Sequence, residues 1–256
     1  MEAMKLSEFL TREAVAADVL PLPQMREAGA TGNSAGLSAA RIEELNRIYA
    51  PLHFEERLRR LYRDFAPEKV LITSSFAATS AYFLHIISDI RPEQKIAFIN
   101  TGYHFAETIA YKDYLTKVFG LSVFDLKADD WKHEFTQKDQ TYIKDPDYCC
   151  QINKVEPLDA AKPNYHVWVS SLMNWQTDAR ADMKIFEERR GIIKFNPMID
   201  VTKGERDAYI AEHNLPFHPL VAQGYQSIGC THCTVKGEGR SGRWAGKPKT
   251  ECGLHL

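Results

Sequence analysis

The chain has 256 residues, 44% of them hydrophobic, which is enough to bury the core of one large domain or two small ones. Its 32 basic and 34 acidic residues leave a net charge of −2, which argues against a general electrostatic attraction to nucleic acid or to a membrane. We find no apolar run of about 18 residues and no secretion signal, so we expect no membrane span and a cytoplasmic location.

Strands and helices alternate through most of the chain. Apolar residues at helical spacing predict a first helix within residues 51–65. Thr202 and Glu205 form a capping-box pattern at the start of another helix. Short strands are predicted at 69–73, 95–99, 121–126 and 165–170, and further helices at 77–88, 105–119 and 202–213. This alternation predicts an α/β fold, a Rossmann-like parallel sheet flanked by helices, within a domain of residues 39–228.

Two further segments flank this domain. Residues 1–38 are expected to form an appendage that ends in a linker, because residues 29–38 are rich in Gly, Ser, Thr and Asn. Residues 229–256 contain many glycines, lysines and arginines and show little periodicity, so they are predicted to form a flexible C-terminal tail.

The loop after the first predicted strand is rich in small hydroxyl side chains. Ser74, Ser75, Thr79 and Ser80 precede or open the next helix, whose free N–H groups and dipole attract anions. This arrangement predicts a site for phosphate or sulfate. The alternative is an ordinary turn in which serines cap the helix. The loop is not a Walker motif, since no Gly-Lys-Ser/Thr sequence closes it.

Four of the five cysteines form two pairs, Cys149–Cys150 and Cys230-x-x-Cys233. In a reducing compartment such cysteines more often bind metal or act in catalysis than form disulfides. Four thiolates can hold either zinc or an iron–sulfur cluster. The adjacent pair is awkward for a tetrahedral zinc ion and easier for a cluster with separate irons. Buried free thiols and a vicinal disulfide remain the structural alternatives.

The motifs resemble those of the adenylyl-sulfate (APS) and phosphoadenylyl-sulfate (PAPS) reductases of assimilatory sulfate reduction. The resemblance runs from about residue 50 to the end of the chain. Its most specific part is the terminal Glu-Cys-Gly-Leu-His, and both cysteine pairs resemble those of the cluster-bearing branch, which mostly uses APS. The motifs are TSSFAATSA (73–81), INTGYHFAET (99–108), CCQINKVEPL (149–158), GCTHCT (229–234), GRSGRW (239–244) and ECGLH (251–255).

The resemblance implies an adenine nucleotide alpha hydrolase-like fold and a thiol-based reaction. Cys252 would be the nucleophile, carried on a tail that folds over the nucleotide. Its thiolate would attack the sulfur of APS and leave AMP and a cysteine S-sulfonate, from which thioredoxin or a glutaredoxin-like donor would release sulfite. A [4Fe-4S] cluster would be held by the two cysteine pairs, and a homo-oligomer is expected.

Several residues match family positions that contact substrate. Arg240 and Arg243 would grip the phosphosulfate, since guanidinium groups bind oxyanions in bidentate geometry. Lys154 would lie between cluster and substrate, and His255 near the sulfate. Nearby cations favour a thiolate, so His255 and the arginines would assist Cys252, whereas Glu251 would oppose it. The loop contacts would come from Ser74, Ser75, Phe76 and Ser80.

Four residues depart from the family pattern. Ala77 replaces a glycine of the phosphate loop, and Asn100 replaces an aspartate. Met173 and Asn174 fall where basic residues are expected. The candidates to supply the missing charge are Arg180, Arg189 and Arg190.

Three other functions remain open. The same chemistry on PAPS would need extra basic contacts for a 3′-phosphate. An ATP pyrophosphatase of the same superfamily would carry Ser-Gly-Gly-x-Asp-Ser, and residues 75–80 lack both glycines and the aspartate. A non-enzymatic redox sensor with an iron–sulfur or zinc site would leave the loop and the terminal motif unexplained.

Overall fold

The strands form one sheet in the described part of the chain, residues 38–247 and 249–255 of a computed structural model. Their order across the sheet is β3-β2-β1-β4-β6-β5, and all neighbours are parallel except β5 and β6. The strands are β1 (Val70–Ser74), β2 (Lys95–Ile99), β3 (Ser122–Leu126), β4 (Val167–Val169), β5 (Phe186–Arg189) and β6 (Ile192–Phe195). The predicted Rossmann-like parallel sheet is therefore confirmed.

Helices connect and cover the strands. The α-helices of the described residues are α1 (Ala39–Tyr49), α2 (Phe54–Asp64), α3 (Ser80–Ile90), α4 (Ala106–Val118), α5 (Asp130–Lys138), α6 (Thr141–Lys144), α7 (Pro146–Cys150), α8 (Glu156–Ala161) and α9 (Lys203–Glu212). The predicted capping box of Thr202 and Glu205 opens α9. Among these residues no helix is long and apolar enough to cross a bilayer.

The burial of the strands follows their place in the sheet. Every residue of β1, β4 and β6 is buried, as expected for parallel strands covered on both faces. The edge strand β3 is only partly buried. β1 is central, with β2 and β3 on one side and β4 on the other. From β1 the chain first adds β2 and β3 on one side and then crosses to add β4 on the other side, so the switch point of the sheet lies between β1 and β4. Such a switch point creates a crevice at the carboxyl ends of the strands.

The structure differs from the sequence-based prediction in one helix boundary and in one hairpin. The helix expected at 77–88 begins at Ser80, because Phe76 has a positive φ of 47° and the chain turns before the helix starts. The antiparallel hairpin of β5 and β6 was not predicted at all. Its turn places Arg190 at φ 51° and Gly191 at φ 79°.

The appendage predicted for residues 1–38 lies, apart from Ser38, outside the described residues. All described residues belong to one compact unit. Within it, residues 229–247 are joined to the preceding part of the chain by short bridges, His104 to Cys230 and Tyr225 to Gly237. The flexibility expected for the C-terminal tail is a separate property and remains a prediction.

The helix that carries the cysteine pair Cys149–Cys150 contains an irregular turn. A π-helical stretch, Gln151–Val155, separates α7 from α8. Pro157 in the first turn of α8 has no N–H to donate to the preceding turn, and such a residue interrupts regular α-helical bonding. Such wide turns are frequent at functional sites, and this one contains the buried Lys154.

Candidate active site

A cavity of about 670 Å³ lies at the carboxyl ends of β1 and β4. Ser74 closes β1 and Ser170 follows β4, and both side chains line the cavity. The C-terminal segment forms another part of the wall. The predicted site residues that line the cavity are Ser74, Ser75, Ser80, Lys154, Arg240, Arg243, Cys252 and His255. The switch point of the sheet therefore brings together residues that are far apart in sequence.

The loop after β1 supplies hydroxyls to this cavity, as its sequence predicts. Ser74 Oγ accepts a hydrogen bond of 3.1 Å from the N–H of Phe76, which fixes the turn. Ser75 and Ser80 remain free of such bonds in the described residues and line the cavity. Phe76 differs from the expectation, because its side chain is fully buried and packs edge-on against Phe98. The side chain of Phe76 does not line the cavity, so it is not placed to contact a ligand there.

The four paired cysteines lie together beside the cavity. Tyr103, Cys149 and Cys230 form a buried cluster against which Cys233 packs. Burial, followed by the charges of Cys150, Cys230 and Cys233, raises the pKa of Cys149 to about 12. Four thiols at such close quarters cannot all ionise unless a cation compensates their charge.

Polar groups contact two of these sulfurs. The hydroxyl of Thr101 lies 3.3 Å from Cys230 Sγ. The side-chain amide of Asn153 donates to the carbonyl of Cys149 at 3.0 Å and lies 3.7 Å from its sulfur. His133 in turn lies 3.0 Å from the amide oxygen of Asn153. The thiols are thus held by a surrounding set of hydrogen bonds, which is typical of ligand side chains.

Lys154 is a buried cation whose counter-charges are thiols. Burial acts to lower its pKa, but Cys230, Cys150 and Cys252 together outweigh burial, so the pKa of Lys154 is raised. Burial likewise acts to raise the pKa of Cys230, and Lys154, Thr101 and Arg243 reverse that effect and lower it. A buried ammonium that faces sulfurs rather than carboxylates fits a site of net negative charge on the cysteine pairs.

The donor set bears on which group these cysteines could hold. In the described ranges, no three His, Cys, Asp or Glu side chains converge on one point as the ligands of a single ion do. Cys149, Cys230 and Cys233 nevertheless pack around Tyr103, and Cys150 lies within electrostatic reach of Cys149 and Cys230. Thiolates that serve separate irons of a cluster need not converge on one atom. Cys149, Cys150, Cys230 and Cys233 are therefore the side chains that could hold a metal group beside this cavity.

The end of the chain is docked against the cavity. The carboxylate of Glu251 accepts hydrogen bonds from Arg180 Nη2 at 3.0 Å and from Thr177 Oγ1 at 3.0 Å. Arg240 Nη2 donates to the same carboxylate at 3.3 Å and to the carbonyl of Thr250 at 3.0 Å. Glu251 was expected to oppose a thiolate at Cys252, but two guanidinium groups already balance its charge.

His255 lies against the sheet rather than in solvent. Its ring is stacked on Trp168 of β4. Burial, followed by the charges of Lys194, Arg180, Arg240 and Lys162, lowers the pKa of His255 well below its ordinary value of 6.5. Docked His255 is therefore neutral near pH 7. It cannot be the cation expected to favour a thiolate at Cys252.

The positive charge near Cys252 comes instead from Lys154 and the arginines of the C-terminal segment. Cys252 lies within the electrostatic reach of both Lys154 and Arg240. Burial, opposed by Glu251 and helped by Arg180 and Arg243, lowers the pKa of Arg240 to about 10. The crowding of cations around this part of the cavity makes it suited to an anionic ligand.

The indole of Trp244 supports these cations. It is buried, with the guanidinium carbon of Arg243 4.3 Å from its ring centroid and that of Arg240 5.9 Å away. The face of an indole attracts cations in this geometry. Trp244 thereby orients both arginines predicted to bind the phosphosulfate.

The structure distinguishes among the candidates for the missing basic charge. Arg180 is buried and lines the cavity, whereas Arg189 and Arg190 are not among the residues that line it. Arg190 instead reaches Asp159 and the carbonyl of Gly253. Met173 lines the cavity and supplies no charge.

Two contributors to the site could not be identified from sequence. Trp168 lies in a buried strand and had only a structural interpretation, and Glu251 was expected only to oppose its neighbour. Their partners are distant along the chain, since 71 residues separate Arg180 from Glu251. Only the folded chain reveals these contacts.

Fold and cavity together define an α/β protein of the adenine nucleotide alpha hydrolase-like class, with a cavity at the switch point of the sheet. The family model of the phosphoadenosine phosphosulfate reductase domain matches residues 69–236. The chain belongs to this family.

Similar proteins agree with this assignment. The chain is 36% identical to an adenosine 5′-phosphosulfate reductase of Mesorhizobium japonicum, with 85% of this chain and 88% of the relative covered. It is 35% identical to a phosphoadenosine 5′-phosphosulfate reductase of Gloeobacter violaceus, with 86% and 95% covered. A crystal structure of a PAPS reductase from Candida auris in complex with phosphate superposes with a TM-score of 0.65 at 27% identity, covering 78% of this chain and 98% of that one.

Proposed function

We propose that the protein reduces adenosine 5′-phosphosulfate to sulfite and AMP, with thioredoxin or a glutaredoxin-like protein as donor, in sulfate assimilation toward cysteine. The observation that carries this proposal is the docked position of Cys252. Its residue lines a cavity at the switch point, within electrostatic reach of Lys154 and Arg240, and the hydroxyl loop lines the same cavity.

Two displacement steps account for the proposed reaction. The Cys252 thiolate attacks the sulfur of the phosphosulfate, the S–O bond to the phosphate breaks, and AMP leaves with the electron pair. A donor thiolate then attacks Sγ of the resulting S-sulfonate, and sulfite leaves with the pair of the S–S bond. The second donor thiol resolves the mixed disulfide and restores Cys252. The donor's two thiols are oxidised to a disulfide, which supplies the two electrons.

Five other residues that line the cavity have roles in this scheme. Arg240 and Arg243 bind the phosphosulfate oxygens and stabilise the charge that leaves with AMP. Ser75 and Ser80, with the N-terminus of α3, bind phosphate oxygens. Lys154 lies between the thiol pocket and the cavity, where its charge acts on both.

We also propose that Cys149, Cys150, Cys230 and Cys233 hold a [4Fe-4S] cluster. When bound, such a cluster would supply a fixed local charge and a rigid support, since the thiol steps already account for both electrons. Support comes from the pocket shared by Cys149, Cys230 and Cys233 and from the buried ammonium of Lys154, which lies within electrostatic reach of Cys230 and Cys150.

One observation favours the related substrate PAPS. Lys203 and Arg206 of α9 also line the cavity and could meet a 3′-phosphate. Arg206 is, however, engaged by Asp207 at 2.6 Å and lies over the ring of Trp175. Its guanidinium is thus already partnered, and APS remains the proposed substrate.

The proposal is tested by mixing the anaerobically purified protein with APS, and separately with PAPS, in the absence of any thiol donor. Peptide mass spectrometry then measures one added SO₃ group on Cys252. We expect the adduct with APS, and its loss in Cys252→Ser. Modification by PAPS alone would reverse the substrate, and an unmodified Cys252 in both mixtures, with the cluster spectrum intact, would overturn the proposed reaction.

A further inference from the structure

Glu251 is the most deeply buried residue of the docked C-terminus. It is 5% exposed, and Arg180, which binds it, is 6% exposed. Two long charged side chains are almost never buried to this extent unless they are paired. The pair therefore contributes to the docked position of the last residues rather than to the surface charge of the protein.

Arg180 is itself held in place by neighbouring side chains. Its Nη1 donates to the side-chain oxygen of Gln176 at 2.5 Å, and that oxygen also accepts from the N–H of Met173 at 3.3 Å. Thr177, between these residues, donates its hydroxyl to Glu251. One short segment thus offers a fixed guanidinium and a hydroxyl to a single carboxylate, which is the geometry of a receptor for Glu251.

The consequence for Cys252 follows from its covalent neighbour. Consecutive Cα atoms are about 3.8 Å apart, so a fixed Glu251 restricts the region that Cys252 can reach. Leu254 packs on the core cluster that contains Trp168, and His255 stacks on Trp168 itself. The contacts on both sides of Cys252 therefore hold the thiol at the cavity.

We propose that Arg180 is a positioning residue, which receives Glu251 and so holds Cys252 at the cavity, rather than a residue that binds the substrate anion. The significance of holding Cys252 rests on its proposed role as nucleophile. Arg240 touches both Glu251 and the cavity, so substrate binding and docking of the tail share one side chain.

The test compares Glu251→Gln and Arg180→Met, which break the same ion pair but change the local charge in opposite directions. Both variants should release the tail. In the substrate-free protein we expect hydrogen exchange of residues 249–255 and alkylation of Cys252, each measured by peptide mass spectrometry, to accelerate by roughly tenfold or more, since a buried charge left without its partner is strongly destabilising. The double variant should add little to either single change.

The opposite charge changes separate release of the tail from a change in thiol reactivity. Loss of Glu251 makes the surroundings of Cys252 more positive and favours the thiolate, whereas loss of Arg180 does the reverse. If alkylation rises in one variant and falls in the other while exchange is unchanged, charge alone explains the result and the proposal is overturned. Unchanged exchange in Glu251→Gln alone overturns it as well, even if Arg180→Met fails to fold.

Binding and turnover give a second readout. At saturating APS we expect the Glu251→Gln variant to form the S-sulfonate roughly tenfold more slowly than the wild-type protein. The dissociation constant of the variant for APS should be unchanged. Weaker APS binding in Arg180→Met, together with tighter APS binding in Glu251→Gln that Arg180→Met abolishes in the double variant, would mean that Arg180 binds the substrate, which contradicts the proposal. Glu238→Gln, an exposed carboxylate of the same C-terminal segment, is the matched control. If the wild-type protein forms no adduct yet both variants release the tail, the proposed function fails and this inference stands.

Discussion

The imidazole of His255 lies parallel to the indole of Trp168, with ring centroids 5.3 Å apart and planes inclined by 8°. The Nδ1 atom of this imidazole is shielded from solvent and has no hydrogen-bond partner among the described residues. A proton on this ring would meet the neighbouring cations Lys194, Arg180, Arg240 and Lys162. The stack is therefore stable only with a neutral imidazole.

Docking of the tail should weaken as the pH falls below about 6.5, the ordinary pKa of a histidine. Burial and the charges of Lys194, Arg180, Arg240 and Lys162 lower the pKa of docked His255, so the released form binds the proton more readily than the docked form. Docking is therefore independent of this group above pH 6.5 and weakens by up to roughly tenfold per pH unit below it. Hydrogen exchange of residues 249–255, corrected for the intrinsic pH dependence, measures this effect.

The control for this pH dependence is His255→Phe, which keeps an aromatic ring on Trp168 but cannot take up a proton. Its exchange should vary little between about pH 5.5 and 7.5. An equal pH dependence in both proteins would assign the effect to another group.

Replacing Lys154 with methionine should weaken binding of the proposed cluster. The side chain is buried, and its counter-charges are the sulfurs of Cys230, Cys150 and Cys252. Removing one partner of a buried charge pair costs about 3–5 kcal/mol. We expect less iron per chain and an S-sulfonation rate lower by roughly tenfold or more. The exposed Lys117→Met is the control, and equal iron contents in the two variants would contradict a role for Lys154 at the thiol pocket.

A methyl group at Gly102 should disturb the cysteine pocket through His133. Gly102 has a φ of +71°, and an added Cβ would collide with the ring of His133. That ring contacts Asn153, which donates to the carbonyl of Cys149. Gly102→Ala should therefore reduce the iron content as well as the thermal stability.

Gly120 provides a matched control for this change. Its φ is +63°, but an added Cβ would meet nothing within 4 Å. Gly120→Ala should show only the backbone cost of about 1–2 kcal/mol that a left-handed residue with a side chain carries. If both variants lose iron equally, the contact between Gly102 and His133 is not the cause.

Arg57 should be among the residues on which the stability of the fold depends most. Its buried guanidinium binds the Asp200 carboxylate at 2.5 and 2.7 Å and the carbonyls of Pro197 and Tyr49 at 2.9 and 3.1 Å. Arg57→Met removes the donor to the carbonyls of Pro197 and Tyr49, while the carboxylate of Asp200 is exposed enough to be hydrated, so the variant should lower the free energy of unfolding by about 1–3 kcal/mol. The exposed Arg59→Met should change it by less than about 0.5 kcal/mol in denaturant titrations. Similar losses in the two variants would contradict this account.

Elements with a strong apolar period were predictable from the sequence. The predicted strand 95–99 coincides with β2, because this segment is a short apolar run that lies between two helical patterns. The hairpin of β5 and β6 was missed, because the turn residue Arg190 adopts a left-handed conformation that usually indicates Asn or Gly. Glu188 and Arg189 are charged, so the sequence of β5 lacks the apolar run that predicts a strand.

The site was predictable to the extent that its residues have distinctive chemistry. Cysteines, arginines and a hydroxyl loop can be recognised without knowledge of their neighbours. The burial of Phe76 and the pairing of Arg180 with Glu251 could not be, because each depends on a tertiary contact. Burial also decides the charge of His255, which the sequence alone suggested would be a cation.

The docked C-terminus is, in physical terms, a tethered ligand of its own protein. Its occupancy is set by an effective concentration that depends on the tether, and this falls only slowly as a flexible tether lengthens. A few glycines inserted before Thr250 should therefore be tolerated. A chain truncated before Lys249 should bind a separate peptide that has the sequence of residues 249–256. The dissociation constant of that peptide would measure the free energy of docking.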